Sequence, residues 1–536
     1  DACPPLFARC VRGVAAQPGC AMRGLLSGMA AAASGCSFLV TNANMTQPEL
    51  EFANHYLRLR GPDHTSHVQR NGVHFVHNLL WLTGKLTPQP FVDERSGVVA
   101  LFNGEIYNYR DLAQGLATDG EALLPMYRTH GEHFPQRLRG EFAVVVADWE
   151  RDLLVLSTDV FGTKPFWSAS DHNGRFGVAS YASALLRLGF KPRLTAELEP
   201  NTIEVRQLSS FRLLRRHRLH TFDLCCQHKH DLKDWTRAFH RSMARRAAAL
   251  QHGSFVGLSG GVDSGCIALR LAEMQVAHHL FSLSASEDTR VLEARHEWAG
   301  REAAGLAVAH PVERLSREAY AEQFAWFPQH VEAYAYTQPH RRIGLVNDAG
   351  AVGLSHICAQ AKPLGVRVYL SGAGADEVHG DYGRVKRWPA DLREVWPWPS
   401  FFGHEMRDYL RKEEHVAGAH GIEGRFPYLD VDLVQEYLWL NTTLKATRQG
   451  PDQAKLPLHA YLARAGYPAV KKKRGFWDAS WQAWNLNLTR QAKRAEEASR
   501  LEKRAARAAG AVGEPGETPM REAPASTGGT GTHALT

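Results

Sequence analysis

The sequence predicts a two-domain protein: a β-rich α+β domain first, then an α/β domain built on a parallel sheet. Its 536 residues exceed what one hydrophobic core usually organises. From Cys36 to about Arg206, short apolar runs such as GVHFVHNLLWL, GVVALFNG and EFAVVVADW alternate with Gly, Asn and Asp turns, which is typical of β-strands. From about Asp231, helical stretches alternate with the isolated apolar runs SFVGLSGG and VRVYLSGAG. Each run ends in a Gly-rich turn, as the strands of a parallel sheet with crossover helices do.

The composition is that of an ordinary globular protein. Hydrophobic residues make up 44% of the chain and charged residues 22%, and no run of about 18 apolar residues is free of charge. We therefore expect no membrane-spanning segment. The net charge of +7 is modest, and the basic clusters RLLRRHR and KKKRGF lack an accompanying nucleic-acid-binding motif. We expect these clusters to be solvated or to attract acidic small molecules, and we predict no nucleic-acid partner.

The two ends of the chain differ from the rest. No acidic residue occurs from Ala2 to Pro48, a composition that suits a removable organellar leader over residues 1–35, or an arbitrary disordered extension. Residues 487–536 predict a charged helical segment followed by a disordered, low-complexity tail. The eight cysteines form neither a zinc spacing nor a disulfide framework, which favours a reducing compartment. That compartment would be the cytoplasm, or an organelle if the leader is a transit peptide.

The strongest chemical signal is LSGGVDS at Leu258–Ser264, between the apolar run SFVG and the helical stretch CIALRLAEM. A strand that ends in Ser-Gly-Gly can wrap backbone N–H groups around an anion, because glycine permits the tight turn and the following helix presents its positive end. Phosphate is the expected ligand. The spacing differs from GxxxxGK[ST], so this is not the phosphate loop of kinases and GTPases. A second strand end, SGAGADE at Ser371–Glu377, follows the run VRVYL.

These two segments resemble the nucleotide site of asparagine synthetases. SGGVDS is similar to the pyrophosphate loop of the ATP pyrophosphatase family, which cleaves ATP between the α- and β-phosphates, and SGAGADE is similar to the asparagine synthetase segment that faces the nucleotide. The resemblance implies ATP as a substrate and Mg²⁺ as a cofactor, with Asp263 and Asp376 as the metal ligands. The residues that it assigns to ATP binding are Leu258, Ser259, Gly260, Gly261, Asp263, Ser264, Leu283, Ser371 and Gly372.

Two downstream segments extend the resemblance. EGRFPYLD at Glu423–Asp430 is similar to the family's E-x-R-x-P-F-L-D segment. KKKRGF at Lys471–Phe476 is similar to its late lysine region, in which a lysine stands three residues before a phenylalanine. This places Lys473 in the catalytic role of stabilising charge on the α-phosphate and acyl oxygens. Without the resemblance, a KKKR run is more often a solvated basic patch.

The first half resembles a class II glutamine amidotransferase, which implies the αββα sandwich of the N-terminal nucleophile fold. GCSFLV places Cys36 where that family has its nucleophile, whose thiolate attacks the glutamine amide while its own α-amino group handles the proton. The resemblance implies an oxyanion hole from Asn103 and Gly104 in NGEIYN. Arg60 in RGPD would pair with the glutamine α-carboxylate, and Asp119 in TDGE would receive the α-amino group. The implied glutamine-binding residues are Arg60, Asn103, Glu105 and Asp119.

Three departures from the family pattern matter. Cys36 follows 35 other residues, so it becomes an N-terminal nucleophile only after cleavage behind Gly35. Ser37 stands where the family usually has glycine. Ala373 stands where asparagine synthetases carry a glutamate that assists the attack by ammonia. A methyl group can neither take a proton nor hold an amine, so either another base serves or the acceptor is not aspartate.

We therefore expect a glutamine-dependent amide synthetase, with asparagine synthetase, which converts aspartate to asparagine, as the default. It would be a carbon-nitrogen ligase with an amidotransferase domain over residues 36–206 and a synthetase domain over residues 231–486. Its substrates would be glutamine, ATP and aspartate or another carboxylate, and the resemblance is compatible with a homodimer. Two alternatives stay open: a relative of β-lactam synthetase that closes a ring with an internal amine, and a non-catalytic regulator that binds nucleotide or glutamine. The retained glutamine-site residues favour real glutamine use, and Asp263 and Asp376 argue against the regulator.

Overall fold

The structure is a computed structural model that describes residues 34–82, 84–248, 250–284, 289–338, 341–381, 385, 387–445, 455–469, 487–491, 493–494 and 497–501. The predicted leader up to residue 33, Lys473 and the predicted tail from residue 502 lie outside the described residues. The chain forms two compact units, Asp1–Trp481 and Gln482–Thr536. The described residues of the second unit are helical. Over the described ranges, no helix is both long and apolar enough to cross a membrane.

Antiparallel strands make up most of the first half of the larger unit, and the predicted apolar runs form them. The strands are β1 (Ser34–Thr41), β2 (His64–Arg70), β3 (Val73–Trp81), β4 (Phe91–Val92), β5 (Val99–Ile106), β6 (Gly140–Asp148), β7 (Leu153–Thr158), β8 (Trp167–Ser170), β9 (Phe176–Ala179), β10 (Thr195–Glu197), β11 (Thr202–Gln207) and β12 (Leu213–Arg218). The helices are α1 (Gln47–Arg60), α2 (Tyr109–Leu112), α3 (Leu123–His130) and α4 (Ala182–Arg187).

Two sheet faces pack against each other at the centre of this half. Side chains alternate along a strand, so Phe38 and Val40 of β1 point into a core that they share with Val145 of β6. Leu39 points the opposite way, into an outer core that α1 and α4 cover. Helix α3 covers the outer face of β5 and β6. The layers are helix, sheet, sheet, helix, which confirms the predicted αββα sandwich.

Helices alternate with short strands in the second half. The elements are α5 (Lys233–Ala247), β13 (Ser254–Gly257), α6 (Val262–Glu273), β14 (His278–Leu283), α7 (Thr289–Glu302), β15 (Ala307–Glu313), α8 (Arg317–His330), β16 (Ala335–Gln338), β17 (Arg341–Gly344), α9 (Ala349–Ala361), β18 (Val368–Leu370), α10 (Ala375–His379), α11 (His404–Ala419), β19 (Glu423–Arg425), α12 (Val431–Trp439) and α13 (Leu456–Arg464). Strands β16 and β17 pair only with each other among the described strands.

A parallel sheet in the order β15-β14-β13-β18-β19 organises this half, as predicted. The chain moves from β13 outward to β15 and then returns to the other side of β13 with β18 and β19. The order therefore reverses between β13 and β18, and ligands of open α/β sheets usually bind at the carboxyl ends of strands at such a point. Both predicted Gly-rich segments, Leu258–Ser264 and Ser371–Glu377, follow these two strands.

Buried charges join the two halves. Glu414 on α11 pairs with Arg60 at the end of α1 and accepts a hydrogen bond from Lys164 Nζ at 2.9 Å. Arg246 Nε on α5 donates to Glu141 Oε1 on β6 at 2.7 Å. Lys164 Nζ lies 3.8 Å from Glu141 Oε2, which connects the two pairs. All five side chains are buried, and we call these residues the interface ion cluster.

A second set of contacts crosses the same boundary. Arg425 on β19 donates to Glu105 on β5 and to Glu423, each at 2.9 Å. The backbone N–H of Phe426 donates to Glu141 Oε1 at 3.0 Å. Buried charges cost free energy unless each has a partner, so these contacts fix how the halves meet. Glu105 is also a predicted glutamine-binding residue, and the boundary therefore runs past the predicted glutamine site.

Candidate active site

A small pocket opens in the first half beside β3, the strand that pairs with the strand of Cys36. Its walls include Gln89, Phe91, Phe102, Thr118, Asp119 and Gly120. The Thr118 hydroxyl is buried and has no hydrogen-bond partner within the described ranges. The pocket thus combines aromatic walls with a few polar groups, the arrangement that is common for small-molecule sites.

Cys36 is the third residue of β1, and its side chain is fully buried. Its backbone N–H donates to Asn103 Oδ1 at 3.3 Å. Gln89 Nε2 lies 4.0 Å from the Cys36 sulfur, and the backbone N–H of Phe102 donates to Gln89 Oε1 at 2.8 Å, which fixes the amide. Cys36 therefore lies next to a pocket residue. The strand also includes Ser34 and Gly35, so it runs through the predicted cleavage point.

Asn103 and Gly104 lie beside Cys36 as the sequence predicts. Asn103 Oδ1 is oriented by Cys36 N and by Arg60 Nη2 at 3.4 Å, while Asn103 Nδ2 is buried and has no partner among the described residues. Gly104 has φ +123°, and a Cβ there would lie 1.9 Å from the Glu141 carbonyl oxygen, so only glycine fits. The unused amide donor is what an oxyanion hole requires.

Two buried acids lie at or near the pocket, since Asp119 forms part of its wall and Glu105 interacts electrostatically with Asp119. Asp119 accepts hydrogen bonds from the backbone N–H groups of Ile106 and Gly120, both at 2.9 Å. Burial raises the pKa of Asp119 to about 8. Burial also raises the pKa of Glu105 well above its usual range, against the charge of Arg425. A bound ammonium group would favour the ionised form of both carboxyls, which suits the predicted α-amino contact.

Arg60 lies next to Cys36, but its guanidinium faces the second half. Arg60 Nε donates to the Cys36 carbonyl at 2.8 Å, Nη1 donates to the Glu414 carbonyl at 3.0 Å, and the group pairs with the Glu414 carboxylate. To bind a glutamine carboxylate, Arg60 would have to contact Glu414 and the ligand together or give up its ion pair with Glu414. Its glutamine-binding role stays a prediction.

Carbonyl groups of the loop after β13 accept hydrogen bonds from a single arginine side chain. Arg295 on α7 donates to the carbonyl of Ser259 and, at 2.9 Å, to that of Gly261. The Ser264 hydroxyl accepts from Ser259 N at 3.1 Å and lies 3.0 Å from Ser259 Oγ. Gly261 caps α6, so the positive end of that helix adjoins the loop. This arrangement suits an anion.

The other residues predicted to contact ATP lie along the same edge of the sheet. Gly372 comes just after β18. It lies so close to the loop after β13 that a Cβ on Gly372 would be 3.0 Å from Asp263 Cβ. Ser371 is buried, and its Oγ accepts from Ala373 N at 3.0 Å. The remaining predicted residues are Leu258 and Gly260 in the loop after β13 and Leu283 at the end of β14.

Asp263 and Asp376 converge on one cationic group, the ammonium of Lys455. Lys455 Nζ lies 2.8 and 2.7 Å from the two Asp263 oxygens and 2.6 Å from Asp376 Oδ1. Asp381 Oδ2 is 3.9 Å away. Lys455 has φ +63° at the start of α13, a conformation that is uncommon outside glycine. Two carboxylates around a cation position are oxygen ligands that fit Mg²⁺.

Four residues of these sites were not predicted from the sequence. Gln89 and Thr118 line the pocket, Arg295 holds the loop and Lys455 joins the carboxylates. Thr118 lies in the TDGE segment beside Asp119 and could have been included with it. Gln89, Arg295 and Lys455 belong to no recognised motif and act on residues distant in sequence. Lys473, the predicted catalytic lysine, lies outside the described residues.

Comparisons with known proteins agree with this architecture. A family model of the glutamine amidotransferase domain matches residues 33–212, which together with the sandwich and the Cys36 pocket defines an amidotransferase half. A family model of asparagine synthase matches residues 234–407 and 401–515. The chain belongs to the asparagine synthase family.

Curated relatives resemble the chain over most of its length. Asparagine synthetase B (glutamine-hydrolyzing) of Escherichia coli strain K12 is 24% identical over 459 residues, 80% of this chain and 78% of the relative. Asparagine synthetase (glutamine-hydrolyzing) 3 of Arabidopsis thaliana is 24% identical over 468 residues, 79% of this chain and 72% of the relative. Among solved structures, the glutamine phosphoribosylpyrophosphate amidotransferase of B. subtilis with ADP and GMP is 13% identical, over 51% of this chain and 80% of that one. Its TM-score of 0.30 is too low to carry an argument.

Lys455→Met should reveal the cation position between the two strand ends. We expect the free energy of unfolding in metal-free buffer to fall by about 3 kcal/mol, because the buried carboxylates lose their counter-charge. Addition of Mg²⁺ should restore part of the lost free energy of unfolding in Lys455→Met. The same addition should stabilise the wild type less, because Lys455 already neutralises the two carboxylates. Urea unfolding with and without Mg²⁺ measures both effects, with the exposed Lys191→Met as the control. Equal stability of Lys455→Met and the wild type without metal would contradict the assignment.

Proposed function

We propose that the chain is a glutamine-dependent amide synthetase, with aspartate as the default acceptor and asparagine as the product. The observation that carries the proposal is the convergence of Asp263 and Asp376 on the Lys455 ammonium group at the switch point of the sheet. Membership of the asparagine synthase family supports the same reaction class, as do relatives named asparagine synthetases.

In the synthetase half, ATP would lie along the carboxyl ends of β13, β14 and β18. The loop after β13 and the end of α6 would bind the phosphates, with the Ser259 and Ser264 hydroxyls turned to phosphate oxygens. Asp263 and Asp376 would hold Mg²⁺, which when bound neutralises the charge of the departing pyrophosphate. The acceptor carboxylate would bond to the α-phosphorus, and pyrophosphate would leave. Lys473 would stabilise the charge on the α-phosphate and acyl oxygens.

In the amidotransferase half, the Cys36 thiolate would attack the glutamine amide carbon. The Asn103 amide donor and the Gly104 N–H would stabilise the negative oxygen that forms. Asp119 and Glu105 would bind the α-amino group. The reaction requires a free α-amino group on Cys36 to accept the thiol proton, so the chain would be cut behind Gly35. The released ammonia would then react in the synthetase half.

A different carboxylate acceptor is the second candidate, and Ala373 favours it. The methyl group leaves space where asparagine synthetases carry a glutamate, and an acceptor larger than aspartate would fill it. A β-lactam-type ring closure belongs to this candidate. The pocket beside Cys36 and the unused Asn103 donor favour glutamine as the nitrogen source over an internal amine.

ATP should be split into AMP and pyrophosphate in the presence of one acceptor. The test incubates the protein cut behind Gly35 with ATP, Mg²⁺, glutamine and a panel of carboxylates, and measures both products. Asp263→Asn and Asp376→Asn should each lower the rate at least about 10²-fold, the usual loss when one electrostatic stabiliser is removed. Asp111→Asn, at an exposed position, is the control. Release of ADP and orthophosphate would contradict the proposed reaction.

Cys36→Ala should separate the two halves. Glutamine-dependent synthesis should be lost, while synthesis from ammonium salts should continue, because the thiolate acts only on glutamine. Cys226→Ala, at an exposed position, is the control. Mass spectrometry of the active protein should find Cys36 at its amino terminus. Full glutamine hydrolysis by uncut protein would refute the N-terminal nucleophile mechanism.

A further inference from the structure

Two histidines and a glutamate from separate elements meet on the surface of the first half. Glu132 and His133 lie in the short 3₁₀ helix Gly131–Arg137, which follows α3, and His217 lies on β12. His217 Nε2 is 2.9 Å from Glu132 Oε1, and the ring centroids of His133 and His217 are 4.5 Å apart. One ligand atom of each side chain lies within 4.8 Å of the other two. We call these three residues the His-Glu cluster.

The His-Glu cluster lies at an edge of the antiparallel sheet. β12 is the last strand in the sheet order, and it pairs only with β11 among the described strands. Side chains alternate along a strand, so Arg215 and His217 both face the 3₁₀ helix, while Arg216 points the other way and pairs with Glu204. Four of the six β12 residues are exposed. A strand with so little burial depends on side-chain contacts for its attachment.

Arg215 holds the Glu132 carboxylate in a fixed orientation. Arg215 Nε donates to Glu132 Oε1 at 2.8 Å, and Nη2 donates to Oε2 at 2.6 Å. These bonds use one acceptor position on each oxygen, and a carboxylate offers about four in all. The same bonds keep the pKa of Glu132 below its usual value, so the carboxylate is ionised, as a metal ligand must be. Residues behind a metal site commonly orient its ligands in this way.

The donor set of the cluster suits a transition metal. Two imidazole nitrogens and one carboxylate oxygen are ligands that Zn²⁺ accepts, whereas Mg²⁺ and Ca²⁺ prefer oxygen alone. Metal–ligand bonds of about 2.0–2.2 Å place two tetrahedral ligands about 3.3 Å apart, so His217 and Glu132 need to separate only slightly. His133 is exposed and its side chain can turn inward. The charge of Arg215 opposes any cation, so binding relies on the bonds to both imidazoles.

We propose that Glu132, His133 and His217 bind a Zn²⁺ ion that fastens β12 to the 3₁₀ helix. The ion would replace the hydrogen bond between His217 and Glu132 with two metal–ligand bonds and would add His133 as a third attachment. Water would complete the coordination. None of the three residues lines the pocket of the first half or belongs to the segments after β13 and β18. The ion would therefore stabilise the last strand before the chain enters the synthetase half.

Hydrogen exchange measured by mass spectrometry should locate the ion. The metal-free full-length chain is compared with and without added Zn²⁺. At a free Zn²⁺ concentration about 100 times the dissociation constant, exchange that requires opening of the site should slow by about 10²-fold in residues 131–137 and 213–218. His133→Ala and His217→Ala should each lose this slowing. His133 is exposed, so its replacement should leave exchange without Zn²⁺ close to that of the wild type.

His172→Ala is the matched control, because His172 is an exposed histidine in a turn of the same half. This variant should keep the full effect of Zn²⁺. If Zn²⁺ leaves exchange in both segments of the wild type unchanged, the proposal is wrong. Slowing that persists in either His133→Ala or His217→Ala would also overturn it, because the ion would then bind through other residues.

Discussion

The buried pairing of Glu414 with Arg60 and Lys164 is the contact on which the rest of the structure depends. It holds a helix of the synthetase half against the strand that carries Cys36. Burial opposes the charge on Lys164, but the carboxylates of Glu414 and its neighbours raise the pKa of Lys164 above its ordinary value. The amidotransferase half thus carries buried cations whose partners come from the other half. Neither half could keep these charges buried alone.

Helix α11 carries this contact from the second half to the first. Glu414 pairs there with the guanidinium that also donates to the Cys36 carbonyl. Any ligand that draws Arg60 away from Glu414 would therefore remove a counter-charge from the interface ion cluster.

The sequence predicted the parts of the protein that depend on local chemistry. Apolar runs and Gly-rich turns define the strands, and Gly104 stands where a Cβ would collide with a neighbouring segment. The convergence of Asp263 and Asp376 was expected from the resemblance to the family's nucleotide site, and it agrees with the rule that ligands bind at the carboxyl ends of parallel strands. Loop glycines and strand ends can be recognised because their constraints lie within a few residues.

The remaining features depend on contacts between distant residues. Lys455 meets Asp263 across 192 positions, and Arg60 meets Glu414 across 354. No spacing in the sequence indicates such partners. Arg60 belongs to the RGPD motif, yet its ion-pair partner in the structure is Glu414 of the other half. Lys473 remains a prediction, since it lies outside the described residues.

Differential scanning calorimetry of Glu414→Gln tests most directly whether the interface ion cluster makes the two halves one cooperative structure. In the wild type, the two halves should unfold together in a single transition. The variant leaves Arg60 and Lys164 without their counter-charge, which should cost about 3–5 kcal/mol and split the unfolding into two transitions. Glu150→Gln, at an exposed position, should unfold as the wild type does. A single transition of Glu414→Gln at the wild-type temperature would contradict this account.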